Sequence, residues 1–183
     1  TERKKHMKSF LLCTLIGSSL LTPIIDQLKP VENQESTIDS KVKTSRKIQL
    51  VILFDTSNSM DGLLDQAKSR LWEIVNESGS LRYNGQTPTL EIAMYDYGNS
   101  GISNTNFVRK QLDFTSDLDL VSQKLFGLRT NGGDEYCGAV IKDALLELNW
   151  SADSKDLKMI YIAGNEPFNQ GPVDFKEVCV VAK

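Results

Sequence analysis

An uninterrupted apolar run, IQLVILF at residues 48–54, constrains the fold of this chain more than any other stretch. A run rich in β-branched residues, with no polar alternation, is typical of a strand buried on both faces of a sheet. Apolar residues then recur at helical spacing between positions 63 and 75, which predicts an amphipathic helix over residues 61–77. Because such a strand needs cover on both faces, the pattern indicates an α/β fold.

The rest of the chain repeats this alternation of strands and helices. Strands are predicted at 89–98, 107–114 and 157–164, and the second of these is polar enough to be an edge strand. Helices are predicted at 117–128, after the glycine-rich segment 129–138, and from residue 172 to the end of the chain. We therefore expect a doubly wound, mostly parallel sheet with helices on both faces, truncated at its C-terminus. Ligands of such folds bind at the C-terminal edge of the strands.

The first 47 residues differ in character from the rest. Basic residues between positions 3 and 8 precede FLLCTLIGSSLL, an apolar run of signal-peptide length that is too short to cross a bilayer as a helix. We predict a signal peptide or leader over 1–22, a polar linker over 23–47 and one folded domain over 48–183. A retained N-terminal membrane anchor stays open as an alternative, because no clear cleavage site follows the apolar run.

The predicted domain is acidic, and its chemistry is restricted. It contains 12 Lys and Arg against 19 Asp and Glu, a net charge of −7, which argues against a nucleic-acid partner. The only histidine of the chain, His6, lies in the predicted leader, so the domain lacks the base of Ser-His-Asp and Cys-His catalysis. Neither a P-loop nor a dinucleotide-binding glycine motif occurs. We expect a protein that is not an enzyme, with oxygen ligands suited to a hard cation.

Three loops of the predicted sheet edge carry oxygen-bearing side chains. The first contains Asp55, Ser57 and Ser59, the second contains Asp134 after a glycine pair, and the third contains Asn165 after a buried strand. Each loop alone also fits an ordinary turn, with Ser59 and Asp134 as helix caps. Taken together at one edge, the three loops favour a divalent cation site, with Mg²⁺ as the first choice and Mn²⁺ or Ca²⁺ as alternatives.

The sequence DTSNS, from Asp55 to Ser59, resembles the first motif of the von Willebrand factor A (VWA) domain, which forms a metal-ion-dependent adhesion site. The segments NGGDEYCGAVIKDALLELNW and IYIAGNEPF are similar to a secreted subset of that family. The resemblance covers residues 48–183 and implies a Rossmann-like VWA fold. It also implies Asp134 as the second-motif ligand, with Thr130 as the weaker candidate. Asn165 stands where the family has Asp in its third motif.

The resemblance implies a secreted, periplasmic or cell-surface binding module. Its cation, held by the residues of the three loops, would accept a carboxylate from a protein ligand. Asn165 removes a charge from the site, and Glu166 is the substitute if the loop shifts by one residue. Two other functions stay open. One is a Mg²⁺-dependent phosphoryl-transfer hydrolase, because a strand-terminal Asp also begins such sites. The other is a metal-free structural or assembly module whose site has decayed.

The cysteines and tryptophans outside the leader have simpler interpretations. Cys137 and Cys179 form an even pair, which suits a disulfide between two helix starts in an oxidising compartment, and two buried thiols are the equal alternative. Trp72 and Trp150 are predicted to pack in the core.

Overall fold

The structure is a computed structural model that describes residues 12–15, 46–103 and 106–182, with the backbone alone described for 12–15. The predicted leader and linker lie almost entirely outside the described residues, and both stay predictions. No helix within the described ranges has the length and apolar character needed to cross a membrane.

The sheet contains five strands in the order β1-β5-β2-β3-β4. They are β1 (Leu12–Leu15), β2 (Lys47–Asp55), β3 (Thr89–Tyr97), β4 (Val108–Thr115) and β5 (Leu157–Ala163). The central strand, β2, is parallel to both β3 and β5. The outer strands β1 and β4 pair antiparallel with their neighbours, so the predicted edge strand is confirmed. The sheet therefore has a parallel centre with antiparallel edges.

Within the described ranges four helices cover the sheet, as the α/β prediction requires. They are α1 (Leu64–Gly79), α2 (Leu118–Gly127), α3 (Cys137–Glu147) and α4 (Phe175–Val181). The first helix begins three residues later than predicted. A 3₁₀ turn (Asn58–Met60) comes first, and Gly62 then adopts a left-handed φ of 78°, which an α-helix does not tolerate. The predicted α/β class is confirmed, and the sheet is mixed, because two of the four pairings between the described strands are parallel and two are antiparallel.

The core has two halves, one on each face of β2. Leu50, Ile52 and Phe54 pack with α1 and α2, whereas Val51 and Leu53 pack with α3 and α4. Successive strand residues point to opposite faces, so a strand covered on both sides needs apolar residues at every position. This is the physical reason for the uninterrupted run at residues 48–54.

Lys68 is a charged residue inside the apolar face of α1. Its side chain is 1% exposed, and its Nζ donates to the carbonyl of Leu128 (2.9 Å) just beyond the end of α2. Burial lowers the pKa of Lys68. A cation at this position stabilises the unpaired carbonyls and the negative end of the α2 dipole. Lys68 therefore joins the two helices that cover one face of the sheet.

The cysteine pair differs from the disulfide hypothesis. Cys137 and Cys179 are thiols in the structure, and both belong to the core cluster under α3 and α4. The hypothesis placed Cys179 at the start of α4, whereas it lies one turn inside that helix. The two tryptophans pack in or against the core as predicted: Trp72 joins one half, and Trp150 contacts Phe114 with ring centroids 5.0 Å apart.

Candidate metal centre

Asp55, the last residue of β2, is buried at the C-terminal edge of the parallel strands. It is 1% exposed, and its Oδ1 accepts a hydrogen bond from the main-chain N–H of Ser57 (2.8 Å). Its Oδ2 is buried and has no hydrogen-bond partner among the described residues. A buried carboxylate oxygen without a donor is costly, because it has lost water and gained nothing in return.

The electrostatics of Asp55 reflect this arrangement. Burial raises the pKa of Asp55 to about 6, hydrogen bonding from Ser57 and from the main chain of Asn165 opposes the rise, and the nearby charge of Glu135 adds to it. At pH 7 the group is still mostly ionised, so the fold holds a buried negative charge that these hydrogen bonds compensate only in part. A cation beside Oδ2 would supply that compensation.

A chain of hydrogen bonds joins the first loop to the third. The hydroxyls of Ser57 and Ser59 lie 2.9 Å apart, and Ser59 Oγ donates to Asn165 Oδ1 at 2.9 Å. Asn165 Nδ2 donates in return to the carbonyl of Ser59 (2.9 Å). The structure thus brings Asp55, both serines and Asn165 together, as the sequence predicts. Ser59 does not cap α1, since that helix begins at Leu64.

The second loop is held against its neighbours by main-chain contacts. Asn131 N donates to the carbonyl of Thr56 (2.9 Å), and Ser100 N donates to the carbonyl of Gly132 (2.5 Å). A Cβ atom on Gly133 would lie 2.8 Å from Ser100 N, so only glycine fits there without displacing the backbone. The loop that carries Asp134 is therefore fixed between the ends of β2 and β3.

Two adjacent carboxylates of the second loop point in different directions. Asp134 is exposed, and its Oδ2 accepts a hydrogen bond from Tyr136 Oη (3.1 Å). Glu135 is half-buried, and its Cγ lies 3.2 Å from the position that a Cβ on Gly98 would occupy. That same position is 3.0 Å from Asp55 Oδ1. The stem of Glu135 therefore approaches Asp55.

Sequence reasoning missed Glu135. Asp134 as a ligand stays a prediction, and it does not cap α3, whose N-cap position is Tyr136. Thr130, the weaker candidate, donates to Asp61 Oδ1, and Glu166 is exposed. The only signal for Glu135 in the sequence is its position next to Asp134, within GGDE.

Asp96 is the second fully buried carboxylate at this end of the sheet, and it contrasts with Asp55. Arg109 donates to both of its oxygens, at 3.0 and 2.6 Å, and Gln111 donates to Oδ1 at 2.9 Å. Thr56 Oγ1 donates to Oδ2 at 3.3 Å. Asp96 is therefore satisfied by protein groups and joins β3, β4 and the first loop, whereas Asp55 Oδ2 is not satisfied.

Gly164 lets the third loop pass close to the candidate site. A Cβ atom at this position would lie 2.7 Å from Tyr97 Oη and 3.3 Å from Asp55 Oδ2. Burial raises the pKa of Tyr97 well above its usual value, so its hydroxyl is neutral. Main chain and a neutral phenol thus lie beside Asp55 at this side of the site.

The donor set suits a hard cation. Clusters of three or more His, Cys, Asp and Glu side chains that could hold a metal do not occur in the part of the chain that the structure describes. The atoms that do converge are carboxylate, hydroxyl and amide oxygens, which are the ligands preferred by Mg²⁺, Mn²⁺ and Ca²⁺.

Comparisons with known proteins found similarity at the level of structure. No family model and no curated protein matches the sequence. The chain is similar to the vWF domain of the type V pili tip protein Mfa5 from Porphyromonas gingivalis, at 16% identity and a TM-score of 0.42, covering 64% of this chain and 37% of that one. A structure of three N-terminal domains of Mfa5 gives 18% identity and a TM-score of 0.42, covering 63% of this chain and 19% of that one.

Proximal thread matrix protein 1 from the mussel byssus, with a zinc-occupied MIDAS motif, gives 14% identity and a TM-score of 0.44, covering 60% of this chain and 26% of that one. This chain thus matches at most 37% of the length of these three structures. A vWF domain is named for the first Mfa5 structure and a MIDAS motif for the byssus protein. The α/β fold of this chain is assigned from its own strand order and helices, described above.

Proposed function

We propose that this protein is a secreted or cell-envelope binding module that holds a divalent cation at the C-terminal edge of β2, β3 and β5 and recognises a protein ligand through it. The observation that carries the proposal is the buried Asp55 carboxylate, whose Oδ2 has no hydrogen-bond partner among the described residues. Oxygens of Ser57, Ser59 and Asn165 surround the same end of the sheet. Buried polar atoms are rarely left unsatisfied without a functional reason.

The ligand set would be small. Asp55, Ser57 and Ser59 supply oxygens from the first loop, and Asn165 supplies a neutral oxygen from the third. The second loop supplies Asp134, as the sequence predicts, or the neighbouring Glu135, whose stem approaches Asp55. Mg²⁺ takes six oxygens and keeps several waters, so a cation held this way has positions left for a carboxylate of the protein ligand. Bridging of this kind requires no catalytic step.

Cation binding can be tested through the stability of the whole chain. Thermal unfolding is measured in EDTA and at about 10 mM Mg²⁺, Mn²⁺ or Ca²⁺ for the wild type, for Asp55→Ala and for Asp119→Ala, an exposed carboxylate on α2. We expect at least one cation to raise the Tm of the wild type and of Asp119→Ala, with no rise in Asp55→Ala. If none of the three cations changes the wild-type Tm, the proposal is wrong.

The second-loop ligand is identified by a matched pair of variants. Asp134→Asn and Glu135→Gln each remove one charge from adjacent positions. Because the stem of Glu135 approaches Asp55 and Asp134 bonds to Tyr136, we expect Glu135→Gln to weaken Mn²⁺ binding more in calorimetry. The reverse order would support the ligand set that the sequence predicts.

A metal-free structural or assembly module is the second candidate. The two hydrogen bonds between Ser59 and Asn165 favour it, because they satisfy polar groups of both loops without a cation. In that case EDTA would leave partner binding unchanged. The phosphoryl-transfer alternative stays a prediction, and a phosphatase screen with Mg²⁺ on the wild type and Asp55→Asn tests it.

A further inference from the structure

A cleft lies beside the candidate metal centre, between β4, the C-terminal end of α2 and the segment that follows α2. Its volume is about 510 Å³, within the range of sites that hold a ligand of several functional groups. The residues used in the argument below are Arg109, Gln111, Gln123, Lys124, Arg129 and Asn131, and we call the cavity that they line the basic cleft. None of the described residues that line it is Asp or Glu.

The cations of the basic cleft differ in how far they are compensated. Arg109 forms an ion pair with the buried Asp96 at 2.6 Å. Neither Lys124 nor Arg129 forms an ion pair within the described residues. Arg129 donates instead to two neutral main-chain carbonyls, at 2.9 and 3.1 Å. The cleft therefore carries positive charge that no described carboxylate pairs with at Lys124 or Arg129 and that the C-terminal end of α2 offsets only in part. In a domain whose net charge is −7, this local charge favours an anionic ligand.

Arg129 is held in place rather than free to rotate. Its two carbonyl partners belong to Phe126 and Leu128, at the end of α2. The carbonyl of Leu128 also accepts a hydrogen bond from the buried Lys68, so this part of the chain is bonded to α1 as well. A guanidinium that is oriented in advance loses less side-chain entropy when a carboxylate binds.

Amide side chains surround these charges. Gln123 and Asn131 are exposed, and each offers both donor and acceptor capacity. Asn131 Oδ1 accepts from the main-chain N–H of Gly132 (3.0 Å), and its Nδ2, which donates to none of the described residues, can donate to a ligand. Amides beside cations suit a peptide, because its main chain needs both donors and acceptors while its acidic side chains need positive charge.

We propose that the basic cleft binds an acidic peptide segment of a protein partner, with Lys124 and Arg129 contacting its carboxylates and with Gln123 and Asn131 contacting its main chain. Asn131 belongs to the loop whose N–H bonds to the carbonyl of Thr56, directly after Asp55. A peptide lying in the cleft therefore leads to the candidate metal centre. The inference extends the proposed protein-binding role, yet the cleft itself does not need the cation.

The test uses fluorescein-labelled hexaglutamate as the probe and labelled hexaglutamine as its uncharged match. Anisotropy is measured at low ionic strength in EDTA, so that cation binding plays no part. The variant is Lys124→Gln/Arg129→Gln, and the control is Lys142→Gln/Lys155→Gln, which removes the same charge from exposed lysines outside the cleft. We expect the cleft variant to raise the Kd for hexaglutamate about tenfold and the control to leave it within about twofold.

Further measurements separate the possible results. Rising salt should weaken hexaglutamate binding, and Asp55→Ala should bind it like the wild type even when its response to Mg²⁺ is lost. If the Arg129 substitution prevents folding, Lys124→Gln alone should still raise the Kd about threefold. Equal losses in the cleft and control variants, or equal binding of hexaglutamine, would overturn the proposal. Stronger, variant-dependent binding of a sulfated oligosaccharide than of hexaglutamate would show that the occupant is not a peptide.

Discussion

Replacing Asp55 with Asn removes a buried charge while keeping the size of the side chain. In the absence of a cation, the ionised carboxylate of Asp55 has one oxygen bonded to Ser57 and one with no partner among the described residues. The fold should therefore carry this charge at a cost that depends on pH. Asn does not titrate, so the variant should lose that dependence.

The size of the effect follows from the difference in pKa between the folded and unfolded states. The pKa of Asp55 is about 6 in the fold, against 3.8 for the ordinary group. Because the pKa is higher in the fold, the fold favours the protonated form of Asp55. The contribution of this group to the free energy of unfolding is therefore complete below pH 3.8 and is lost as the pH rises through about 6. At about 1.4 kcal/mol per pKa unit the full change is about 3 kcal/mol, and about 2.4 kcal/mol of it falls between pH 4 and pH 7.5.

The assay is urea unfolding of the wild type and Asp55→Asn in EDTA at both pH values. The free energy of unfolding of the variant, relative to the wild type, should rise by about 2.4 kcal/mol from pH 4 to pH 7.5. Comparing the two pH values cancels any constant cost of burying the Asn amide. Asp134→Asn is the control, since it makes the same change at a carboxylate that is exposed rather than buried.

The reasoning would be refuted by a difference between variant and wild type that stays within about 0.5 kcal/mol across this pH range. Such a result would mean that the Asp55 carboxylate is solvated or neutralised by the protein itself. It would also remove the main support for a cation site. Added Mg²⁺ at pH 7.5 should stabilise the wild type and leave Asp55→Asn unchanged.

Three further substitutions probe the same region and its support. Asn165→Asp should raise the Mn²⁺ affinity about tenfold in calorimetry, because it adds a negative charge to the site. The same variant should have a lower Tm in EDTA, because the hydrogen-bond donor to the carbonyl of Ser59 is lost. Gly164→Ala should lower the free energy of unfolding in urea by about 1–3 kcal/mol, because the new Cβ would meet Tyr97 Oη. Gly127→Ala is the control, because open space surrounds its Cβ and its free energy of unfolding should not fall. Lys68→Met should cost about 1–2 kcal/mol, because the Leu128 carbonyl loses its buried donor and keeps only the bond from Arg129; an unchanged unfolding midpoint would contradict this.

The strands and the first loop were predictable because their signals are local. An apolar run without alternation reports burial on both faces, and β2 has that burial. The parallel strands then place the residues that follow β2 and β5 at one edge, which is why Asp55 and Asn165 were expected to lie together. Their hydrogen bonds through Ser59 agree with that expectation.

Side-chain direction in the glycine-rich loop was not predictable. Asp134 and Glu135 are adjacent, chemically alike and outside any helix or strand, so no periodicity distinguishes them. Their orientations depend on Tyr136, which bonds to Asp134, and on the space beside Gly98, which admits the stem of Glu135. The contact beside Gly98 joins segments that are distant in sequence, and such contacts cannot be predicted from the local pattern of a single sequence.

Lys68 illustrates the same limit in the core. Helical spacing places it on the buried face of α1, beside Leu64 and Leu71. Asp65, one turn earlier, is exposed and lies 3.6 Å away, and the buried acceptor of Lys68 is the carbonyl of Leu128, which comes 60 residues later. A buried lysine is interpretable only when that acceptor is known, because the charge is tolerated through its partner and not through its local pattern.

The first and second loops of the candidate site are joined to each other and to the end of β3 through main-chain atoms: Thr56 N to Tyr97 O, Asn131 N to Thr56 O, and Ser100 N to Gly132 O. These contacts do not depend on the side chains of Asp55, Ser57 or Asp134. Substitutions at the ligand positions can therefore change the charge and the preferred ion of the site while the scaffold stays in place. The same property makes this edge of the sheet a suitable starting point for engineering a site of different ion selectivity.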